Sequence, residues 1–226
     1  MAIDNAQILA ELDPDQLAVV TAISGPVCVI AGAGTGKTRV ITNRIAYAIN
    51  AGVTDPTKVL ALTFTAKAAG EMRARLRVLG ISNAAARTFH SAALKQLLYF
   101  WPYAFGGQFP SLLTTKSGFI SQAITRAEVA IPAQVNALRE IASEIEWAKV
   151  LEISPEDYQE RAIESSRLVK LPNSKTQGEN LSMIAQVYEA YESLKKQERT
   201  LDFEDVLLLT VGMLEEDRGV RERIQD

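Results

Sequence analysis

The residues with the clearest chemical signature form a glycine-rich stretch in the first part of the 226-residue chain. Residues 31–38 read AGAGTGKT and lie between an apolar stretch, residues 26–30 (PVCVI), and a stretch of helical periodicity that begins at residue 38. Glycines let backbone N–H groups converge on anionic oxygens, a lysine can reach nucleotide phosphates, and a threonine hydroxyl can bind Mg²⁺. The pattern predicts a phosphate-binding loop between a strand and a helix.

Each residue of this loop has an expected role. The glycines supply the converging N–H groups, Lys37 contacts the β and γ phosphates, and the Thr38 hydroxyl is the expected Mg²⁺ ligand. Ala31 stands where the strict motif has its first glycine, a position that tolerates another small residue. The residues predicted to hold the nucleotide here are Ala31, Gly32, Ala33, Gly34, Thr35, Gly36, Lys37 and Thr38, and Lys37 and Thr38 are the predicted catalytic pair.

A further nucleotide contact is predicted upstream, in residues 12–20 (LDPDQLAVV). The Gln16 carboxamide can pair with the N6 and N7 edge of adenine, which would favour ATP over GTP. An exposed glutamine at the start of a helix is also common in proteins without a nucleotide site. The prediction for Gln16 therefore depends on the loop that follows it.

A second group of candidate residues follows the apolar stretch at residues 58–63 (KVLALT), which predicts a buried strand. Ligands of open α/β sheets bind beyond the carboxyl ends of the strands. Phe64 can stack on a nucleic-acid base there, while Thr63, Thr65 and Lys67 can contact phosphates. Taken singly, Phe64 would more often be an aromatic residue of a protein core and Lys67 a solvated surface lysine, so their predicted roles depend on the linked motifs.

Charge is unevenly distributed along the chain, whose net charge is −3. Residues 58–95 hold seven basic residues against the single acid Glu71, which gives this stretch a charge of +6 and the remainder −9. A local cationic zone of this kind is suited to phosphates, although a solvated helix face would explain the charge equally well.

Other classes of protein are disfavoured by composition. Cys28 and His90 are the only cysteine and histidine, so a disulfide framework is excluded and a zinc site would lack its usual ligands. Residues 1–13 hold three acids and no apolar run, which does not fit a secretory signal or a membrane anchor. We therefore expect a cytoplasmic protein with no membrane partner.

The order of the predicted elements indicates an α/β fold that is interrupted by helices. Strand 26–30, helix 38–50, strand 58–63 and a helix from about 66 to 79 form a βαβα series and hence a parallel sheet. Aromatic residues cluster between 99 and 109, and residues 115–198 have helical periodicity, with candidate helix starts near Ser117 and Ser154 and a loop at 171–178. An apolar helix follows at 201–214. We predict a nucleotide-binding domain at 1–95, a helical insertion at 96–199 and a return to the first domain at 200–226.

Five segments together resemble successive motifs of the UvrD/Rep-type superfamily 1 helicases. They are LDPDQLAVV, AGAGTGKT, ALTFTAKAAGEM (residues 61–72), RTFHS (87–91) and LDFEDVL (201–207). The stretches RTFHSAALKQLLYFW and SEIEWAKV are similar to the actinobacterial UvrD-like branch. The resemblance implies a P-loop NTPase (RecA-like) parallel sheet with helices on both faces, ATP and Mg²⁺ as cofactors, and single-stranded DNA and single/double-strand junctions as substrates. Travel along DNA in the 3′ to 5′ direction is implied by analogy.

The resemblance also assigns roles to particular residues. It implies that Arg39 lines the nucleotide pocket and that Thr88, Phe89 and His90 belong to a second DNA-contacting motif, with His90 as a hydrogen-bonding residue. Ala66 stands where the family usually has asparagine, which removes one polar contact to DNA. Asp202, Phe203 and Asp205 match a motif that marks the return to the ATPase domain, and they also fit a helix cap.

One requirement of ATP hydrolysis is missing from the sequence pattern. A P-loop ATPase needs an acid at the end of a second core strand to hold Mg²⁺, and a group that orients the attacking water. No such strand is evident, so we expect an amino-terminal fragment that binds ATP but neither hydrolyses it efficiently nor unwinds DNA. Two alternatives share these motifs: the helicase subunit of a recombination nuclease, and a regulatory P-loop module that never touches DNA.

Overall fold

The computed structural model describes residues 4–172 and 176–225. The chain divides into two compact units, Met1–Lys95 with Glu222–Asp226, and Gln96–Arg221. One limit between the units falls within a continuous helix, between Lys95 and Gln96, and the predicted domain bounds 1–95, 96–199 and 200–226 remain predictions. Each unit is described by itself below.

The first unit combines helices with a sheet of two short strands. Its elements are α1 (Asn5–Leu9), α2 (Pro14–Thr21), α3 (Lys37–Asn50), β1 (Leu60–Thr63), α4 (Ala66–Val78) and β2 (Ala85–Thr88), followed by the start of α5 (Phe89–Ala104). The core joins α1, α3, α4 and the two strands around Ile8, Ala46, Met72, Leu76 and Ala86. Gly80 follows α4 in the left-handed conformation (φ 80°), as expected for a helix that ends before a glycine.

The two strands of this unit are parallel, but the pair is not the predicted one, since β1 pairs with residues 85–88 and not with residues 26–30. Leu60 pairs with Ala85 and Thr63 with Thr88, so both strands end at the same level. Strand β2 was not anticipated, because residues 85–88 (AART) lack an apolar run. Strand β1 begins later than expected, because residues 56–58 form a 3-10 turn that Asp55 caps.

Two predictions about buried strands are wrong. Residues 26–30 form no strand, and Val27, Val29 and Ile30 are 41%, 48% and 98% exposed. The physical reason is that no strand among residues 4–172 and 176–225 pairs with this segment. Strand β1 is buried on one face only: Ala61 contacts the core, whereas Leu60 and Leu62 are exposed. Helices on both faces of the sheet therefore remain a prediction.

Helix α3 starts within one residue of its predicted position. Its Ile45 and Ile49 side chains pack against the core of the first unit, whereas Ile41 is exposed. The fully buried residues of α3 are Val40, Thr42, Asn43 and Ala46. Asn43 is buried because its amide donates to the Ile8 carbonyl oxygen at 3.1 Å. Contacts with α1 and α2 therefore rotate the buried face away from Ile41.

The second unit is mainly helical, as predicted. After α5 come β3 (Ser111–Leu112), α6 (Ser117–Arg126), α7 (Val135–Val150), α8 (Tyr158–Glu164), α9 (Gln177–Glu198), β4 (Thr200–Leu201), α10 (Phe203–Glu216) and α11 (Arg218–Gln225), which continues past the division. Helix α6 starts at the predicted Ser117, and Ser154 lies four residues before α8. The predicted loop at 171–178 lies partly outside the described residues. Strands β3 and β4 form a parallel pair of two residues each.

A buried ion-pair network fixes the start of α10. The Asp202 carboxylate is 2.8 Å from Lys149 Nζ and 3.0 Å from Lys195 Nζ, and it accepts the Tyr191 hydroxyl at 3.0 Å. Asp202 and Asp205 also cap α10 reciprocally, through each other's backbone N–H groups. Burial raises the pKa of the Asp202 carboxyl, but the two ammonium groups outweigh it and hold that pKa below its usual value.

The domain boundary predicted at residue 200 does not match the division into two units. Helix α10 packs within the second unit, which continues to Arg221, and residues 222–225 are the described ones that group with the first unit. The return of the whole 200–226 segment to the nucleotide-binding domain therefore remains a prediction.

Among residues 4–172 and 176–225, every helix is too short or too polar to be a candidate for a membrane span.

Candidate nucleotide and DNA site

The glycine-rich loop leads directly into helix α3, as expected for a phosphate-binding loop. Gly34 and Gly36 have φ angles of 79° and 80°, in the left-handed region that favours glycine. Gly36 is the residue that precedes α3, and Lys37 is its first residue. The first N–H groups of a helix have no partner within it, so this end of α3 offers free donors to an anion.

The Lys37 side chain folds back over the loop. Its ammonium group donates to the carbonyl oxygen of Ala31 at 3.1 Å and also to that of Gly32. The Thr35 hydroxyl donates to the same Gly32 carbonyl at 3.0 Å. A positive charge therefore lies above a loop whose two left-handed glycines turn the backbone sharply, an arrangement that fits an anionic phosphate chain.

Beside the loop lies a cavity of about 640 Å³. Its polar side is lined by Gln16, Thr35, Lys37 and the carboxylates Asp13 and Asp15. Its apolar side includes residues of the extended segment 26–30 and of α3, namely Val27, Val29, Ile30, Val40 and Ile41. The cavity therefore joins the predicted phosphate contacts to an apolar surface, as expected of a nucleotide site.

Gln16 lies against the loop because of how α2 begins. Asp13 caps α2 by accepting the Gln16 N–H at 2.8 Å, and Pro14 is the first helical residue. The Gln16 amide then donates to the Thr35 carbonyl oxygen at 3.2 Å. The structure thus brings together Gln16 and Lys37, which are separated by 21 residues in the sequence.

The remaining residues that were predicted to bind the nucleotide are placed differently. Thr38 is half-buried in the first turn of α3 and does not line the cavity. Arg39 points to a separate cavity on the other side of α3, where it donates to the Glu11 backbone carbonyl and pairs with the Glu11 carboxylate, both at 2.9 Å. Roles for Thr38 in Mg²⁺ binding and for Arg39 in nucleotide binding stay predictions.

One cavity residue, Arg44, was missed by the sequence-based reasoning. It lines the same cavity as Lys37 and donates two hydrogen bonds to the Ala22 carbonyl oxygen. The sequence spacing could have indicated this position. Arg44 lies seven residues, or about two helical turns, after Lys37 and is therefore on the same face of α3.

The predicted DNA-contacting residues converge at the carboxyl ends of β1 and β2. Because Thr63 and Thr88 are paired in register, Phe64 and Phe89 leave the sheet side by side. Their ring centroids are 5.3 Å apart, with an angle of 37° between the planes. Phe64 is 88% exposed and Phe89 is 42% exposed. The structure therefore presents two adjacent rings to solvent.

The polar residues of this group serve the helices that start here. The Thr65 hydroxyl caps α4 by accepting the Ala68 N–H at 3.1 Å. At the start of α5, Thr88 and Ser91 each accept the backbone N–H of the other, at 3.1 and 3.2 Å. Two helix amino termini thus lie beside the aromatic pair, and both favour anions. Lys67 is exposed on the first turn of α4, and His90 is half-buried.

The fold and the site together define a mixed α/β protein that carries a phosphate-loop sequence at the start of a helix. The chain matches the family described as the UvrD/REP helicase N-terminal domain over residues 12–226. It therefore belongs to this family.

Relatives with assigned names support the same conclusion. The chain is 41% identical over its whole length to the ATP-dependent DNA helicase UvrD2 of Mycobacterium bovis, of which it covers 32%. It is 30% identical to the ATP-dependent DNA helicase PcrA of Leuconostoc citreum and 32% identical to the ATP-dependent DNA helicase Rep of Buchnera aphidicola, over 93% of its length in both cases. The chain spans 32% of the length of this UvrD2, 27% of this PcrA and 29% of this Rep.

Proposed function

We propose that this chain is the nucleotide-binding amino-terminal region of an ATP-dependent DNA helicase that tracks along single-stranded DNA. The observation that carries the proposal is the exposed pair of Phe64 and Phe89 at the ends of two parallel strands, in the same unit as the phosphate loop. The names of the relatives support it, since UvrD2, PcrA and Rep are all named as ATP-dependent DNA helicases.

In this proposal the loop at residues 31–38 holds the phosphates of ATP. Lys37 exchanges its bonds to the Ala31 and Gly32 carbonyl oxygens for bonds to phosphate, which are stronger because both partners are charged. The Thr38 hydroxyl would hold Mg²⁺, and Gln16 would read the adenine edge. Bound Mg²⁺ supplies charge neutralisation at the phosphates when the terminal group is transferred.

The aromatic pair would hold the DNA. Stacking on exposed aromatic rings is tolerant of sequence, because every base has a π-face. Phe64 and Phe89 would stack bases, while Thr63, Thr65, Lys67, Thr88 and His90 would contact the phosphate backbone. The cationic stretch 58–95 would add attraction that does not depend on sequence. Closure around ATP and reopening after hydrolysis would then move stacked bases relative to the rings.

Hydrolysis by this chain alone is not expected. Strands β1 and β2 of the first unit end in Thr63 and Thr88, so neither provides an acidic side chain for Mg²⁺ where a P-loop ATPase needs one. We therefore propose that the chain binds ATP and DNA, and that ATP turnover and strand separation require further residues.

A chimera tests this proposal. The chain replaces the aligned segment of mycobacterial UvrD2, and ATP hydrolysis is measured with and without single-stranded oligonucleotide. We expect stimulation by DNA that the matched Lys37→Ala chimera lacks. Hydrolysis that depends on Lys37 but is indifferent to DNA would contradict the helicase proposal and favour a regulatory nucleotide-binding module.

A further inference from the structure

Arg44 joins the helix that follows the phosphate loop to the helix that carries Gln16. Its Nε and Nη2 atoms donate to the same carbonyl oxygen, that of Ala22, at 3.0 and 2.7 Å. Ala22 is the residue that ends α2. The last carbonyl groups of a helix lack intrahelical partners and attract cations, so the guanidinium satisfies an otherwise free acceptor.

Helix α2 depends on such contacts for its orientation. It has eight residues, fewer than a helix needs to be stable on its own in water. At its start, Gln16 reaches the phosphate loop through the Thr35 carbonyl oxygen. At its end, Arg44 fastens it to α3. The position of the Gln16 carboxamide above the loop is therefore set from both ends of α2.

The phosphate contacts do not share this dependence. Lys37 and Thr38 belong to α3 itself, and Lys37 is held by carbonyl groups of its own loop. A change at the far end of α2 would thus move Gln16 without moving the lysine. Base recognition and phosphate recognition are separable in this arrangement.

We propose that Arg44 is a positioning residue for nucleobase selectivity, which favours adenine by holding α2 so that Gln16 faces the base. This inference rests on the proposed function, in which the loop holds phosphates and Gln16 reads the base. In this inference Arg44 acts through α2, by way of its two hydrogen bonds to the Ala22 carbonyl oxygen.

The test compares three probes that bind with Mg²⁺: ATP, GTP and inorganic tripolyphosphate, titrated calorimetrically into the 226-residue chain. In Arg44→Ala we expect the ratio of ATP to GTP affinity to fall by about fivefold, the lower end of what a bidentate base contact contributes to discrimination. Tripolyphosphate affinity should fall less than ATP affinity, because Arg44 contributes its charge to the cavity but tripolyphosphate has no base to misalign. Arg44→Lys keeps a positive charge but cannot donate two hydrogen bonds in the fixed geometry of a guanidinium group. This variant should therefore have a ratio of ATP to GTP affinity between those of the wild type and Arg44→Ala.

Arg73→Ala is the matched control. Arg73 also donates to a backbone carbonyl oxygen of the first unit, that of Ala86 at 2.7 Å, but it does not line the cavity. We expect this variant to lower thermal stability and to leave the ATP to GTP ratio unchanged. If Arg44→Ala does not fold, the ratio in Arg44→Lys decides the question.

The outcomes separate the two proposals. Equal losses of ATP and tripolyphosphate affinity in Arg44→Ala would show that Arg44 has a purely structural role. An unchanged ratio of ATP to GTP affinity would show that Arg44 has no role in base selectivity. Either result overturns the inference and leaves the proposed function standing. Equal affinity of the wild-type chain for ATP and GTP would overturn the inference together with the base-reading role of Gln16, while the phosphate-loop and DNA-binding parts of the proposed function would stand. A wild-type chain that binds none of the three probes would overturn both proposals.

Discussion

Replacement of Phe64 by alanine should weaken binding of single-stranded DNA while leaving the fold intact. The ring is 88% exposed, and its contact to Phe89 at 5.3 Å is the ring contact that the structure shows for it. Surface substitutions of this kind usually change the free energy of unfolding by less than about 0.5 kcal/mol. A stability loss therefore cannot account for a large loss of binding.

The size of the binding effect follows from the stacking role. Stacking of one base on an aromatic side chain contributes about 1–3 kcal/mol by alanine substitution. We therefore expect the dissociation constant for an oligo(dT) to rise by roughly 5- to 150-fold in Phe64→Ala. Fluorescence anisotropy of a labelled oligonucleotide at several salt concentrations measures it. The slope of affinity against salt should not change, because no charge is removed.

Two further variants make the assay specific. Lys67→Ala should reduce the salt slope, by about 0.7 for one lost phosphate contact with single-stranded DNA. Val78→Ala removes another exposed apolar side chain of the same unit, 75% exposed at the end of α4, and should bind DNA like the wild type. An affinity for oligo(dT) that is equal in wild type and Phe64→Ala would refute the stacking role.

The other predictions concern the loop and the ion-pair network. Gly36→Ala should lower the free energy of unfolding by about 1–2 kcal/mol, because alanine is strained at φ 80°; its Cβ would also lie 3.3 Å from the Gln16 amide nitrogen. Gly118→Ala in α6, with open space around it and no positive φ, is the control, and thermal unfolding that fails to distinguish the two would count against the loop geometry. Asp202→Asn should cost about 3–5 kcal/mol in denaturant unfolding, since it leaves Lys149 and Lys195 poorly compensated, whereas Glu164→Gln at an exposed ion pair should cost little. Because the folded pKa of Asp202 lies below its unfolded value, its contribution is complete above about pH 4 and is lost as the pH falls further; an acid-unfolding profile identical in wild type and Asp202→Asn would contradict this.

Local patterns predicted the ends of several helices, because the signals that start and end a helix are local. The Asp202 and Asp205 pair predicted the start of α10, and the structure shows a reciprocal cap there. Helix α4 likewise ends within one residue of its predicted end at 79, directly before Gly80. Helix α6 begins at Ser117, where its start was predicted. Helix caps and left-handed glycines affect only the adjacent helical turn. A few neighbouring residues in one sequence are therefore enough to predict where a helix begins or ends.

Strands were predicted less well, because a strand depends on a neighbour. The run of Val27, Val29 and Ile30 is as apolar as a core strand, yet these residues are exposed because no described strand pairs with them. Strand β2 has a weak local signal but forms because Ala86 packs in the core and pairs with Ala61 in β1. Such pairings are set by distant segments and do not appear in local periodicity.

In the candidate site, too, the features that depend on local sequence were predictable and those that depend on distant residues were not. The glycine loop and Lys37 were recognisable from residue types and spacing, and so was Phe64 after its strand. The partners of Arg39 and Arg44 were not, because Glu11 and Ala22 are 28 and 22 residues away and the bond to Ala22 uses a backbone carbonyl group. A backbone acceptor has no sequence signature.

The most direct test of the central claim is the binding of ATP and Mg²⁺ to this chain, measured by calorimetry for wild type and Lys37→Ala. A hydrogen bond to a charged group contributes about 1.5–3 kcal/mol, so the variant should bind at least ~10-fold more weakly. Circular dichroism would confirm that the variant is folded, as expected for an exposed lysine. Wild-type binding that Lys37→Ala strongly weakens would support a phosphate-binding loop, and equal affinities in the two proteins would contradict it.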